Sequence, residues 1–332
     1  MLLNSIGFGD TNVVYSTNVV YNANVVYNAN GAKYRFEFAY YSLIIANAGM
    51  KLPDEIWINH IIPWLSVEDV VVCTVNKLFA SHITRCITDI SDYMHVVENE
   101  ILQRLNHLTS LDLEYNWVIT DDGITHMTNL TLLDLRYNRT ITDVGIAHMT
   151  NLASLYLSNN LAITDVGISH MTNLTVLDLD CNQMITNAGI AHMNNLTSLN
   201  LGYNRAITDD GITRMTNLTS LDLVCNQMIT DVGITHMTNL TSLNLGYNQM
   251  ITNAGIMRMT NLTLLDIACN QMITDAGIIH MTNLTSLNLG YNKTITDIGI
   301  ACMTNLTSLD LTCNRMITDA GVAHMSNTNI TR

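Results

Sequence analysis

Residues 218–239 read LTSLDLVCNQMITDVGITHMTN, and this stretch returns with few changes every 22 residues. Ten such units follow one another without insertion and fill residues 108–327. Their shared pattern is L-T-x-L-[D/N]-L-x-x-N-x-x-I-T-[D/N]-x-G-I-x-x-M-x-N. A fixed period of this length, kept over two thirds of a chain, predicts a solenoid of stacked coils.

Six positions in each unit are aliphatic or Met in all ten units. One coil cannot bury six such side chains, whereas a stack buries them in one continuous core. Two of the positions alternate as in a strand, and two lie three apart as on a helix. The sequence therefore predicts an α/β solenoid, a horseshoe or arc with parallel strands on the concave side and short helices on the convex side. In the first unit the six residues are Leu108, Leu111, Leu113, Ile119, Ile124 and Met127.

Polar residues also keep fixed places in the unit. Thr120 and its equivalents are suited to N-cap the short helix, and the next residue, Asp121, suits the positive helix N-terminus. Gly123 indicates either close packing between neighbouring helices or a special backbone angle. Asn116 follows the strand, where a buried amide can satisfy backbone groups that leave the ladder. These repeated polar residues are therefore interpreted as structural.

The pattern L-x-x-L-x-L-x-x-N resembles the leucine-rich repeat signature. The Ile-Thr-Asp-x-Gly-Ile stretch is similar to the convex segment of the cysteine-containing subclass found in F-box proteins, with Asn here where that subclass has Cys. The resemblance implies a module that binds a protein partner on its concave face.

The amino-terminal third differs in composition. Residues 1–33 contain a hexapeptide written three times (TNVVYS, TNVVYN, ANVVYN) and are assigned to a low-complexity tail, either flexible or an adhesive strand. Residues 34–51 are assigned to a linker. Within residues 52–90, apolar spacing and helix-start signals predict three short helices in a small bundle.

Residues 52–83, LPDEIWINHIIPWLSVEDVVVCTVNKLFASHI, resemble the F-box. Placed before leucine-rich repeats, this segment resembles the substrate receptors of SCF-type ubiquitin ligases. The resemblance implies docking to a Skp-type adaptor, with catalysis left to partner subunits. The alternative is a stand-alone binding or scaffold module without a ligase. The residues implied in adaptor binding are Leu52, Pro53, Ile61, Ile62 and Leu65.

Two predictions concern the ends of the solenoid. Apolar spacing within residues 91–107 predicts a helix that connects the bundle to the first coil and caps its core. Residues 328–332 are assigned to a tail, and residues 326–332 offer no comparable cap. The sequence thus predicts an exposed strand edge at Leu309–Leu311, and a mostly monomeric protein with edge-mediated self-association.

The outward strand positions and the turn that follows supply the candidate partner-binding residues. The face is acidic, so a cation or a basic target protein would relieve its repulsion, and a solvated polar face without a ligand is the alternative. The tyrosines are read either as binding hot spots or as packing between coils. The candidates are Asp112, Glu114, Tyr115, Asp134, Tyr137, Tyr156, Asp178, Asp180, Tyr203, Asp222, Tyr247, Asp266, Tyr291 and Asp310.

Two further sets of repeated residues, the cysteines and the histidines, are not expected to form disulfides or to bind metal. Cysteines two coils apart are separated by roughly 10 Å, beyond the reach of a disulfide, and are expected to be free thiols. A row of histidines from His126 to His324 lies along the helical side and is expected to be a solvated row, because metal sites need convergent ligands. With no catalytic motif, no metal and no cofactor expected, the sequence predicts a protein that is not an enzyme.

Composition bounds the partners and the compartment. With 28 acidic and 14 basic residues the formal charge is −14, which argues against nucleic acid. No stretch reaches the roughly 18 apolar residues of a membrane span, and the first residues lack the features of a signal peptide. A cytoplasmic or nuclear protein that is not secreted is therefore expected, with its Asn-x-Thr triplets unglycosylated.

Overall fold

The computed structural model describes residues 99–103 and 105–332. The predictions for residues 1–33, 34–51 and 52–90, including the F-box-like bundle, fall outside the described residues. The described residues contain the repeats and the last part of the segment that connects to them.

Eleven three-residue strands form one sheet, in which each strand pairs in parallel with the next along the chain. Leu221 lies opposite Leu199 and Leu243, so the register advances by one 22-residue unit per strand. The strands are β1 Ser110–Asp112, β2 Leu132–Asp134, β3 Ser154–Tyr156, β4 Val176–Asp178, β5 Ser198–Asn200, β6 Ser220–Asp222, β7 Ser242–Asn244, β8 Leu264–Asp266, β9 Ser286–Asn288, β10 Ser308–Asp310 and β11 Asn329–Thr331.

Eleven four-residue helices alternate with these strands within the described residues. Strands contact neighbouring strands and helices contact neighbouring helices, so the two kinds of element form separate files. The predicted solenoid of parallel strands and short helices is confirmed. The helices are α1 Asn99–Leu102, α2 Asp121–Ile124, α3 Asp143–Ile146, α4 Asp165–Ile168, α5 Asn187–Ile190, α6 Asp209–Ile212, α7 Asp231–Ile234, α8 Asn253–Ile256, α9 Asp275–Ile278, α10 Asp297–Ile300 and α11 Asp319–Val322.

The core lies between the two files and runs the length of the stack. The six apolar positions of the first coil are all fully buried, and their equivalents join them in one continuous cluster. Leu102 and Leu105 belong to this cluster, so they cover the first coil as predicted for residues 91–107. Among the described residues, the helix of this segment is α1, which ends at Leu102.

The carboxyl end of the stack differs from the prediction. β11 pairs with β10, and Leu309 and Leu311 are buried, so the exposed edge predicted at Leu309–Leu311 is wrong. The last strand uses residues that the sequence assigned to a tail. Ser308 pairs with Asn329, a step of 21 rather than 22 residues, because the Leu that opens the other units is missing after Asn327. The free edge therefore belongs to β11.

A ladder of buried asparagines closes the turn after each strand. Asn226 is fully buried, and its Nδ2 donates to the carbonyl oxygens of Leu201 and Asn204, both at 3.0 Å. Its Oδ1 accepts from the backbone N–H groups of Met228 and Ile229, at 2.9 and 3.0 Å. One amide thus satisfies four backbone groups that the strand ladder leaves free, which confirms the structural interpretation.

A second ladder joins the starts of neighbouring helices. The Asp231 carboxylate accepts from the Thr252 backbone N–H at 2.8 Å and from its Oγ1 at 2.7 Å, while that Oγ1 accepts from Ala254 N as the predicted N-cap. Where the preceding coil has Asn, as at Asn187, its Nδ2 donates to Thr208 Oγ1 and no side-chain cap forms. The aspartates therefore link successive coils, a role beyond the predicted helix-dipole effect.

The helix glycines make room for this ladder. A Cβ on Gly255 would lie 2.5 Å from Asp231 Oδ1, closer than real Cβ contacts. Close packing, rather than a special backbone angle, is therefore the reason for glycine here. No helix within the described residues has the length and apolar character needed to cross a bilayer.

Candidate partner-binding face

One side of the sheet faces solvent, and its residues are called the sheet face. In β6, Leu221 points into the core, while Ser220 and Asp222 on either side are half-buried. Val224, two residues after Asp222, lies on the same side because side chains alternate along an extended chain. The sheet face thus comprises three outward positions per coil, equivalent to 220, 222 and 224.

An ion-pair cluster, here called the clamp, occupies the sheet face of the first two coils. Arg136 Nη2 lies 2.6 Å from Asp134 Oδ2 and 3.0 Å from Glu114 Oε2. Asp134 is 5% exposed, and its hydrogen bond raises the pKa of Arg136 above its usual range. Arg136 also lies 5.8 Å from the centre of the Tyr156 ring. The clamp (Glu114, Asp134 and Arg136) therefore supplies one internal positive charge to an end of the face that carries three carboxylates, Asp112 included.

The clamp also accounts for the acidic group at β1 and β2. Ligand atoms of Asp112, Glu114 and Asp134 lie within 4.8 Å of one another, a spacing that would suit a metal ion. Arg136 already supplies a positive charge to two of these carboxylates. The charges of these residues are evident in the sequence, whereas the pairing of Arg136 with both Glu114 and Asp134 was not predicted.

The sheet face from β4 to β10 has a different character. It carries five carboxylates and no lysine or arginine at its outward positions. The acidic residues stand mainly on alternate coils, with asparagine on the coils between them. This set is called the open strip and consists of Asp178, Asp180, Asp222, Asp266 and Asp310.

Neutral donors hold the carboxylates of the open strip in place. Asp222 Oδ1 accepts from Val224 N at 2.8 Å, and its Oδ2 accepts from Asn244 Nδ2 at 2.9 Å. Asp266 is held in the same way by Ala268 N and Asn288 Nδ2, both at 2.8 Å. These donors orient the carboxylates but do not neutralise them, since neither an amide nor a backbone N–H carries a full charge.

Electrostatics along the open strip disfavour further negative charge. Burial raises the pKa of Asp222 above its ordinary value, and the charges of Asp266 and Asp178 add to the effect. Burial likewise raises the pKa of Asp180. A hydrogen bond from the Cys181 side chain lowers this pKa, but the effect of burial is larger. A positively charged group placed on the strip would relieve this repulsion.

A file of five tyrosines, four cysteines and Asn159 borders the sheet face, at the position before each ladder asparagine. All ten residues there have left-handed backbones, with φ between 51° and 57°, and none is glycine. The backbone N–H of each of the first nine donates to the next coil, as when Cys225 N donates to Gly246 O at 2.9 Å. This conformation was not predicted, because Tyr and Cys, unlike Asn159, are not residues that favour it.

The tyrosines divide into two groups. The rings of Tyr115 and Tyr137 stack on each other with centroids 4.5 Å apart, as packing between coils requires. Tyr203, Tyr247 and Tyr291 are 50–54% exposed. Hydrogen bonding to the cysteine of the next coil raises the pKa of these three phenols, as Cys225 does for Tyr203. The first pair therefore packs between coils through its ring faces, although Tyr115 is itself 55% exposed, and the other three also present about half of their surface to solvent.

The cysteine and histidine files follow the predictions only in part. The five cysteines among the described residues are free, as predicted, while Cys73 and Cys86 lie outside these residues. The histidine row is not solvated throughout, because the Nε2 atoms of His126, His170 and His192 are buried without a hydrogen-bond partner. In the described part of the chain, no histidine joins a group with metal-ligand spacing.

The asparagines of the Asn-x-Thr triplets form a further row of hydrogen bonds between coils. Asn239 Nδ2 donates to Thr216 O at 3.0 Å, and Asn261 Nδ2 donates to Thr238 O at the same distance. The amide nitrogen that glycosylation would modify is therefore used to join neighbouring coils. The triplets were predicted to be unglycosylated repeat residues, and the bond between coils was not predicted.

Coils that pair their strands in parallel, bury a leucine and isoleucine core and turn on an asparagine ladder define a class of solenoid proteins. The Leucine Rich repeat family model matches this chain over more than half of its length, so the chain belongs to the leucine-rich repeat family. No curated protein matches the chain. The matched segments are residues 104–125, 126–147, 170–191, 192–215, 214–235, 236–259, 258–279, 280–303 and 302–326.

Solved structures show the same architecture. Internalin InlF from Listeria monocytogenes is 25% identical, with a TM-score of 0.58, and the match covers 80% of this chain and 93% of that chain. The functional domain of InlJ from the same organism, described as including a cysteine ladder, is 25% identical with a TM-score of 0.51, over 70% of this chain and 54% of that one. Rad7 from yeast, solved in complex with Elc1, is 15% identical with a TM-score of 0.56. The match covers 90% of this chain and 92% of that chain, and at this identity it shows the fold alone.

The family and the geometry agree on a general role. The chain is a leucine-rich repeat module of the protein-binding kind, and this fold is typical of binding proteins that are not enzymes. Within it, the clamp and the open strip are the two regions of the sheet face that differ most in charge.

Proposed function

We propose that this protein is a receptor that holds a basic partner protein on the open strip and presents it to an SCF-type ubiquitin ligase. The observation that carries the proposal is the open strip itself. Its carboxylates are fixed by neutral donors and lack a basic side chain on the same face, whereas the clamp has its own arginine. Fixed, unneutralised charges favour a partner of opposite sign because little reorganisation accompanies binding.

The ligase half of the proposal rests on the resemblance of residues 52–83 to the F-box. Through that resemblance, Leu52, Pro53, Ile61, Ile62 and Leu65 would contact a Skp-type adaptor. Ubiquitin transfer would then take place on partner subunits, and this chain would supply only recognition. Such a receptor would work in the cytosol or the nucleus.

A stand-alone binding module is the second candidate. It is favoured by the extent of the family match, which begins at residue 104 and so includes only the repeats. In this case the segment before the repeats would recruit no adaptor, and the open strip would still bind its partner.

Co-purification separates the two candidates. The full chain, expressed with a Skp-type adaptor, should retain it, and the variant Leu52→Ala/Pro53→Ala should lose it. The matched control is Asp178→Asn/Asp222→Asn/Asp266→Asn, which changes the open strip and should keep the adaptor. Absence of the adaptor from the wild-type preparation would overturn the ligase half in favour of the stand-alone module.

Partner capture tests the binding half. The Asp178→Asn/Asp222→Asn/Asp266→Asn variant should lose a cross-linked basic partner that the wild type holds. A control with the same change in net charge is Glu100→Gln/Asp122→Asn/Asp210→Asn, since these three residues are exposed and lie on α1, α2 and α6. Equal loss in both variants would show that only total charge matters and would remove the open strip from the account.

A further inference from the structure

We propose that the open strip binds an extended basic segment in the polyproline II conformation, with Lys or Arg at every third residue, lying along the stack of strands. This inference rests on the proposed function and names the chemistry of the partner. It depends on the spacing of the acidic coils, the free acceptor capacity of their carboxylates and the position of the exposed tyrosines.

The first step is the spacing. Asp178, Asp222, Asp266 and Asp310 share one position on every second strand of a parallel sheet. Neighbouring strands lie about 4.8 Å apart, so these carboxylates recur every ~9.6 Å. A polyproline II helix advances about 9.3 Å per turn of three residues. Across all four aspartates the two repeats drift apart by only about 1 Å.

Other regular conformations do not match this interval. In a β-strand, three residues span about 10 Å, but residues i and i+3 then point to opposite sides. In an α-helix, seven residues span about 10.5 Å, and the mismatch with the carboxylates reaches about 3 Å over three intervals. Polyproline II is the conformation in which every third side chain returns to the same side at the required interval.

The second step is the capacity of the carboxylates to accept. An ionised carboxylate offers about four acceptor sites. In Asp222, one acceptor site is used by Val224 N and another by Asn244 Nδ2. The outward positions of β4 to β10 hold no lysine or arginine that could occupy the remaining acceptor sites. Each of these aspartates can therefore accept charge-assisted hydrogen bonds from an arginine or lysine without giving up its present partners.

The third step is the tyrosine file. Tyr203, Tyr247 and Tyr291 stand on the coils between the aspartate coils, recur with the same 44-residue interval and expose half of their surface. A segment that pairs its cations with the aspartates passes these rings with the residues in between. Proline suits those residues, because its ring packs on aromatic faces and its fixed φ holds polyproline II in advance.

The clamp sets the limit of the footprint. At β2 the equivalent aspartate, Asp134, already pairs with Arg136 at 2.6 Å. A cation of the segment would compete there with a residue of the protein itself. The occupant therefore needs four cations, one for each aspartate from β4 to β10.

The test compares two peptides of identical composition by titration calorimetry with the full chain. One is four Arg-Pro-Pro triplets, and the other has its four arginines at every second residue followed by the remaining prolines. We expect the triplet peptide to bind at least about tenfold more tightly, because it brings all four arginines to the aspartates at once, whereas the other peptide brings at most two to the same side. The Asp178→Asn/Asp222→Asn/Asp266→Asn variant should remove this preference, and the Glu100→Gln/Asp122→Asn/Asp210→Asn variant should keep it.

The remaining outcomes overturn the inference in distinguishable ways. Equal binding of both peptides, abolished by the open-strip variant, would mean that the strip holds basic segments without regard to spacing, so the proposed function would stand and the polyproline II occupant would fall. Failure of the wild type to bind either peptide would also overturn the inference, and partner capture would then decide the proposed function separately. Circular dichroism checks that each variant is folded.

Discussion

The aspartates at β2 and β6 hold the same position in the repeat and have opposite surroundings. Asp134 is nearly buried and pairs with Arg136, two residues further along the chain. Asp222 has Val224 at that place and is held only by neutral donors. One outward residue per coil therefore decides whether the carboxylate is neutralised by the protein or left for a partner.

Both regions share the same scaffold. Asn138 and Asn226 are fully buried, and each bonds the carbonyl oxygens of the preceding coil and the backbone N–H groups of its own turn. The difference between the clamp and the open strip is thus a difference in surface charge on an unchanged fold. This separation allows the two to be tested independently.

The largest expected effect is common to both regions. Asn138→Ala and Asn226→Ala should each lower the free energy of unfolding by about 3 kcal/mol. Each substitution leaves buried backbone N–H and carbonyl groups without hydrogen-bond partners. Urea unfolding of the two variants measures the losses. A large difference between them would contradict the view that the scaffold is the same in both regions.

The next effect belongs to the clamp alone. Arg136→Ala should lower the free energy of unfolding by about 2 kcal/mol, since it leaves the buried Asp134 carboxylate without its cation. Val224→Ala, at the equivalent place in the open strip, is the control and should cost less than about 1 kcal/mol. Urea unfolding again gives the comparison, and equal losses would count against a neutralising role for Arg136.

The third effect concerns moving the arginine of the clamp into the open strip. Val224→Arg places an arginine two residues after Asp222, as Arg136 follows Asp134, and should pair with that carboxylate. We expect roughly tenfold weaker binding of the four-triplet arginine peptide, with a gain in stability below about 1 kcal/mol. Val224→Gln, of similar length without the charge, controls for bulk. Unchanged affinity in Val224→Arg would show that Asp222 is not part of the binding surface.

The smallest effect is a pH dependence. The folded-state pKa of Asp222 is raised, so its ionisation disfavours the native state. Its contribution to stability is present below its ordinary pKa of 3.8 and is lost as pH rises through the higher folded-state value. Asp222→Asn cannot ionise and does not lose this contribution. The melting temperature of the variant minus that of the wild type should therefore be larger at pH 7 than at pH 3. A difference of the opposite sign would contradict the raised pKa.

The fold was largely predictable because its determinants repeat. Leu221, Leu223 and Ile229 recur at fixed spacing in every unit, and the polar ladder residue Asn226 follows the strand each time. Patterns of this kind report burial directly. The terminal strand was missed because it starts one residue early, so Ile330 takes a core position that strict periodicity does not assign.

The site was less predictable because it depends on departures from the repeat. The charges on the face were evident, but the pairing of Arg136 with both Asp134 and Glu114 requires the side-chain directions of two coils. The left-handed backbone at Cys225 and Tyr247 was hidden because neither residue type favours it. Neutral donors such as Asn244, which orient without neutralising, are also visible only in three dimensions.

Hydroxyl-radical footprinting of the full chain, alone and with its cross-linked partner, tests the binding surface most directly. We expect partner binding to protect Tyr203, Tyr247 and Tyr291, while Val166 and Ile298, which are exposed on α4 and α10, keep their reactivity. Protection confined to Val166 and Ile298, with the three tyrosines unchanged, would place the partner on the helical side and contradict the account.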